Sequence, residues 1–259
     1  MDLHGQRPIA IVQARMGSTR LPGKVLAMLA GHPVLWHVVD RLKFCRSLHA
    51  IAVATTTRPE DDAIEQWCCD HCVRCFRGEN DDVLDRYYQA AKFFQADPVI
   101  RITADCPVID PSVVDEVVWE FRCRNYDICG LGGEFPDGLD CEVVAFHALE
   151  IAWREACWAS EREHVTPFLY KHPERFRVGF LEKFVHLGHH RWTLDEEADL
   201  HFLEAIFARL YREDTPFSTD EILNLLAREP ELLALNQGIS RNQGYQRSLE
   251  ADRVVFMKG

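Results

Sequence analysis

No run of about 18 apolar residues occurs anywhere in this chain, so no segment is expected to cross a bilayer as a helix. Residues 1–7 lead directly into a strand-like segment without the apolar stretch of a signal peptide, and a cytoplasmic location is expected. A basic excess is also missing: 41 Asp and Glu against 29 Lys and Arg give a formal net charge of −12. Proteins that grip a duplex carry a basic face, so neither nucleic acid nor a membrane is an expected partner. Internal repeats, low-complexity tracts and convincing linkers are absent as well. What remains is 259 residues, 47% of them apolar, enough for one large α/β domain with a sizeable core. That domain is placed over 1–235, and the polar, glycine-bearing stretch 236–259 reads as a tail or packing arm.

Cysteine, by contrast, is plentiful, with ten residues lying mostly in apolar segments. In a reducing compartment they read as small buried hydrophobes rather than disulfides. The cluster Cys68-Cys69-Asp70-His71-Cys72-Val73-Arg74-Cys75 offers zinc-ligand residue types. It has no second ligand pair at finger spacing and straddles a helix end and the next strand, so zinc is the lesser reading.

Apolar runs alternate with amphipathic stretches, which predicts a mostly parallel sheet covered by helices. Strands are expected at 8–12, 51–55, 99–103, 126–130, 142–146 and 176–181. Helices are expected at 34–45, 61–71, 81–94, 111–122, 148–157, 161–170, 201–211 and 219–227.

The first strand runs into Gln13-Ala14-Arg15-Met16-Gly17-Ser18-Thr19-Arg20-Leu21-Pro22-Gly23-Lys24. A loop at the carboxyl end of a parallel strand is where such sheets bind ligands. Gly17, Ser18 and Gly23 permit close backbone approach, so amide N–H groups can face phosphate oxygens. Arg15, Arg20 and Lys24 gather three cations in ten residues of an acidic protein, which an ordinary surface turn does not explain. The spacing matches neither the dinucleotide fingerprint nor the P-loop.

Arg101-Ile102-Thr103-Ala104-Asp105-Cys106-Pro107 ends another buried strand at the same sheet edge. Facing a triphosphate, Asp105 suits Mg²⁺, which takes one or two protein carboxylates; taken alone, it reads better as a cap on the Pro107 turn. In His190-Arg191-Trp192-Thr193-Leu194-Asp195-Glu196-Glu197-Ala198-Asp199-Leu200, Asp195 is either a helix N-cap or a second carboxylate on that metal. Spacing does not decide between them. His186, His189 and His190 read as surface or edge histidines.

Together these segments resemble the spore-coat polysaccharide biosynthesis protein F family, which is similar to the CMP-KDO synthetases and acylneuraminate cytidylyltransferases. Further matching pieces are Glu60-Asp61-Asp62, Arg77-Gly78-Glu79-Asn80-Asp81-Asp82-Val83-Leu84-Asp85-Arg86-Tyr87, Pro136-Asp137-Gly138-Leu139-Asp140 and Ser160-Glu161-Arg162-Glu163-His164-Val165-Thr166-Pro167. The match runs in order over about residues 8 to 210.

The resemblance implies a Rossmann-like, GT-A-type nucleotidyltransferase fold, a three-layer sandwich around a mostly parallel sheet. It implies transfer of a nucleotidyl group, CMP from CTP, to a sugar or sugar acid, with release of pyrophosphate, in polysaccharide or glycan synthesis. Arg15, Lys24 and Asp105 are the implied catalytic residues. Gln13, Ala14, Gly17, Ser18, Arg20, Thr103 and Ala104 would contact the nucleotide, and Asp105 with Asp195 would bind Mg²⁺. Asp137, Asp140, Glu142, Glu161, Arg162 and His164 would line the acceptor side, and relatives imply a homodimer.

The first loop departs from the usual CMP-sugar synthetase pattern at Gln13, where a proline is typical, and at Val25, where an asparagine is typical. The phosphate chemistry is unaffected, and the choice of base stays open. Two other readings are a GT-A glycosyltransferase, though Asp105-Cys106-Pro107 lacks its usual Asp-x-Asp, and a non-catalytic member of the fold.

Overall fold

A computed structural model describes residues 7–239, 241, 243–250 and 252. The first half of the chain forms β1 (Ile9–Gln13), a small hairpin of β2 (Met28–Leu29) and β3 (His32–Pro33), α1 (Val34–Leu42), β4 (Ala50–Thr56), α2 (Asp62–Asp70), β5 (Arg74–Gly78), α3 (Val83–Phe94), β6 (Val99–Thr103) and α4 (Pro111–Arg124). Then follow β7 (Ile128–Leu131), β8 (Glu142–Val144), α5 (Phe146–Glu155), α6 (Ala159–His164), α7 (Pro167–Lys171), β9 (Val178–Leu181), α8 (Glu197–Leu210), α9 (Thr219–Arg228) and α10 (Gln243–Glu250).

Seven strands make one sheet in the order β5-β4-β1-β6-β8-β7-β9, and only β8 runs against the others. Ile9, Ala10, Ile11 and Val12 of β1 are fully buried, which is why the strand reads as a continuous apolar run rather than an alternating one. β1 lies between β4 and β6, each parallel to it. The chain steps outward from β1 to β4 and β5, then returns across β1 to β6. At that reversal the loops after β1 and β6 part, leaving a crevice at the carboxyl edge. The opposite direction of β8 sets its first residue, Glu142, beside Arg101 of β6.

Several local expectations change. The helix expected over 161–170 is two helices, α6 and α7, parted at Val165, whose φ of 74° lies in the left-handed region. Pro167 has no N–H to donate back into α6, so that helix does not continue through it, and the proline instead opens α7 at its first position. The expected strand 142–146 stops at Val144, and the following helix starts early, at Phe146. Only half of the cysteines are buried: Cys45, Cys68, Cys106, Cys129 and Cys141. Within the suspected zinc cluster, Cys69 and Cys72 are exposed while Cys68 is buried. Among the described residues no group of three or more His, Cys, Asp or Glu is arranged to hold a metal. No helix there is long and apolar enough to cross a membrane.

The stretch read as a tail contains α10, which packs on α6. The rest of it falls partly on residues 240, 242, 251 and 253–259, outside the described set, as do residues 1–6.

Candidate active site

The loop leaving β1 is shaped by its own backbone. Met16 O accepts the N–H groups of Ser18 (2.8 Å) and Gly23 (3.0 Å), folding residues 16–23 into a closed turn. Gly23 has a φ of 73°, a conformation glycine adopts without strain. The start of the loop is moored by Asp61, which is 1% exposed and accepts Met16 N–H at 2.7 Å. The other Asp61 oxygen takes the hydroxyl of Thr56. Asp61 therefore fixes the loop rather than capping α2.

Lys24 projects from this loop between two carboxylates, with Nζ 2.6 Å from Asp105 Oδ2 and 2.7 Å from Asp195 Oδ1. Burial opposes a charge on Lys24, but Asp105 and Asp195 outweigh it and hold its pKa above the ordinary value. The same balance keeps the Asp105 carboxyl below its usual range: burial pushes it up, and the Lys24 ammonium pulls it further down. Lys24 and Asp105 thus stay charged near neutrality. Two backbone links hold the segments together: Asp105 O accepts Leu194 N–H at 2.8 Å and Thr193 Oγ1–H at 3.3 Å.

Asp195 does not cap α8; that position is Glu196. Its carboxylate instead meets Lys24, Arg20 Nη2 (2.9 Å) and Arg191 Nη2 (3.1 Å). Arg191 is nearly buried and also binds Asp137 (3.1 Å) and Asp199 (2.8 Å). Asp199, with no exposed surface, accepts the backbone N–H groups of Asp195 and Glu196, each at 3.0 Å. A buried ion cluster of this kind orients the Asp195 carboxylate.

These groups border a cleft of about 860 Å³. Gln13, Ala14, Arg15, Ser18, Arg20, Lys24, Thr103, Ala104, Asp105 and Asp195 line it on the loop side. Asp137, Asp140, Glu142 and His164 line the far side. Gly17 is exposed and outside the lining. Glu161 and Arg162 also lie outside it, because both serve the scaffold. Glu161 binds Lys171 at 3.0 Å, and Arg162 binds Asp82 and the carbonyl of Trp153. His190 is buried beside Trp192 rather than at the surface, and burial lowers its pKa to about 4.

On the far wall Glu142, expected on the acceptor side, is held by Arg101 and Thr166, for which sequence implies no site role. Glu142 pairs with Arg101 at 2.8 Å and accepts Thr166 Oγ1–H at 3.0 Å. Gly138 has a φ of 110°, and a Cβ there would lie 2.6 Å from the carbonyl carbon of Trp192. That close approach carries the strand-like contact in which Asp137 O accepts Trp192 N–H at 2.6 Å. A glycine between two acids signals such an approach in sequence, whereas Arg101 carries no comparable sign.

Asp137 gives a pH signature. Burial and then Asp140 push its pKa up to about 7, against the pull of Arg241 and Arg191. An unfolded aspartate titrates near 4, so folding takes up a proton between about pH 4 and 7. The stabilising contribution is full at low pH and lost as pH rises through about 7. Melting temperatures of Asp137→Asn should therefore gain on the wild type as pH rises from 4.5 to 7, then keep a constant gap. A pH series of thermal melts measures this, and a constant gap throughout would remove the assignment.

A sequence profile described as cytidylyltransferase matches residues 9–243. An uncharacterized protein of Methanocaldococcus jannaschii is 36% identical over 242 residues, 92% of this chain and 97% of that protein. The spore coat polysaccharide biosynthesis protein SpsF of Bacillus subtilis is 32% identical over 228 residues, 85% of this chain and 94% of its own length. Among solved structures, a cytidylyltransferase from Leptospira borgpetersenii superposes with a TM-score of 0.85 at 28% identity, covering 91% of this chain and all 100% of that one.

Proposed function

The chain belongs to the cytidylyltransferase family and is a nucleotidyltransferase of that fold, and from this premise we propose that it transfers CMP from CTP to a sugar-acid hydroxyl in the synthesis of a surface polysaccharide or glycan. The observation that carries the reading is the arrangement of Lys24, Asp105 and Asp195 in the cleft, with the cation Arg15 lining the same side.

In the reaction an acceptor oxygen attacks the α-phosphorus of CTP. A new P–O bond forms as the bond to the bridging oxygen breaks, and its electron pair leaves with pyrophosphate. Positioning and charge neutralisation supply most of the rate. Arg15 sits on the loop where a triphosphate would lie, and its guanidinium suits two phosphate oxygens at once. Lys24 remains an ammonium and is assigned to the charge gathering on the leaving group. Gln13, Ala14, Ser18, Arg20, Thr103 and Ala104 form the surface assigned to the nucleotide.

Asp105 and Asp195 fit a divalent cation: their hard oxygens already converge on one positive centre, the Lys24 ammonium. Mg²⁺ held by these two residues would supply Lewis-acid polarisation of the phosphate. The acceptor is assigned to the wall of Asp137, Asp140, Glu142 and His164.

The test is a pyrophosphate-release assay crossing the four nucleoside triphosphates with a panel of sugar acids in the presence of Mg²⁺. Release with CTP and one acid supports the reading. Release from a nucleotide other than CTP would change the base, and no release with any pair would remove the function.

A further inference from the structure

Seven cationic side chains line the cleft, among them Arg15 and Arg247. Five already have acceptors. Arg20 and Lys24 bind Asp195, Arg101 binds Glu142, and Arg191 binds Asp137, Asp195 and Asp199. Arg86 is buried and donates to the carbonyls of Glu79 (2.7 Å) and Asn80 (3.4 Å). Among the described residues, Arg15 and Arg247 are the two cleft-lining cations with no acceptor, and both are exposed. They belong to different walls: Arg15 to the phosphate loop, Arg247 to α10.

α10 is a built wall and not a loose end. Its Ser248 Oγ lies 3.0 Å from His164 Nε2 and donates to Glu163 Oε2 at 2.6 Å. Tyr245 packs edge-on to the His164 ring at 4.9 Å. On either side, Arg241 donates to the Phe135 carbonyl at 2.7 Å, and Asp252 accepts from Ser160 Oγ at 2.7 Å. All these anchors are polar or aromatic-edge contacts, and no α10 residue is fully buried. The cytidylyltransferase profile matches as far as residue 243, the first residue of α10.

We propose that α10 completes the acceptor pocket and that Arg247 is its specificity-determining residue, pairing with the carboxylate of a sugar acid. This rests on the nucleotidyltransferase reading and narrows it. On the far wall Asp137, Asp140 and Glu142 are matched by Arg191, Arg241 and Arg101, but Glu163 has no Lys or Arg partner among the described residues and would repel an acidic acceptor. An uncommitted guanidinium on the same side resolves that conflict, because it binds a carboxylate bidentately. Two anionic substrates then meet two free cations, one on each wall.

The experiment uses the full chain, saturating CTP with Mg²⁺, and two probes, KDO and N-acetylneuraminate. Each is paired with a neutral counterpart whose carboxylate is reduced to an alcohol. The wild type should favour an acid over its counterpart. Arg247→Gln should raise the KM for that acid by roughly tenfold to a hundredfold, the range of a charge-assisted pair, and leave the KM for CTP and the neutral counterpart unchanged. Arg247→Lys should recover part of the loss. The proposal is overturned if Arg247→Gln leaves the acid KM unaltered, or raises the KM for CTP instead. It is overturned as well if CTP binds, by thermal shift, and neither acid is preferred to its neutral form. Absence of both CTP binding and pyrophosphate release points instead to failure of the underlying reading.

Discussion

Asp105→Asn should lower turnover of CTP by at least about a hundredfold while the protein melts within a few degrees of the wild type. The activity side follows from charge. Asp105 ends β6 at the carboxyl edge of the sheet, and its carboxylate stays ionised despite burial because Lys24 lies 2.6 Å away. Removing a preorganised charged group at a site of charge development costs on the order of 10²–10³ in rate, and here it also removes one of two oxygens suited to a divalent cation. The stability side follows from the backbone. Asp105 is held through its carbonyl, which accepts from Leu194 and Thr193 whatever the side chain is. Asparagine keeps the volume, and Lys24 keeps Asp195 as its counter-charge. Steady-state pyrophosphate release and a thermal melt on one preparation give both numbers. Turnover within threefold of the wild type would falsify the assignment of Asp105 to the chemistry.

Much of this site could be read before the fold was known, and the reason is positional. Buried parallel strands announce themselves as unbroken apolar runs, so the segments ending at Gln13 and Thr103 could be placed at one sheet edge. With that edge fixed, the glycines and cations of 14–24 and the acid at 105 had to face each other. What sequence could not settle was the direction of individual side chains. Asp195 read equally as a cap or as a site carboxylate, and the alternatives separate only when Arg20, Lys24 and Arg191 are seen converging on it. Glu161 and Arg162 carry the same residue types as a binding site but face Lys171 and Asp82 instead. Nothing in local spacing distinguishes a charge that serves the scaffold from one that faces a ligand. α10 was missed for a different reason. Its sequence is polar, and its place comes from long-range contacts with α6 rather than from an apolar stripe of its own.

The opposite signature is expected of Asp199→Ala, which should destabilise the fold by about 3–5 kcal/mol and lower activity only as a consequence. Asp199 touches no open part of the cleft, yet five donor contacts end on its two oxygens. They come from Arg191 Nε and Nη2, the N–H groups of Asp195 and Glu196, and Asn236 Nδ2. Alanine leaves the Arg191 guanidinium buried with one counter-charge fewer and strands two backbone donors at the start of α8. Breaking a buried pair from one side costs in that range because the remaining charge is left uncompensated. In a chain of this length the loss corresponds to a fall of roughly 10 °C in Tm. Asp199→Asn, which keeps one acceptor oxygen and the side-chain volume, should fall between the alanine variant and the wild type. Because Asp199 orients Asp195 through both Arg191 and the backbone, kcat/KM for CTP should fall in step with Tm across the series. Urea melts and pyrophosphate-release kinetics on the three proteins test this together. If Asp199→Ala melts with the wild type, the buried ion cluster is not what holds Asp195 in place.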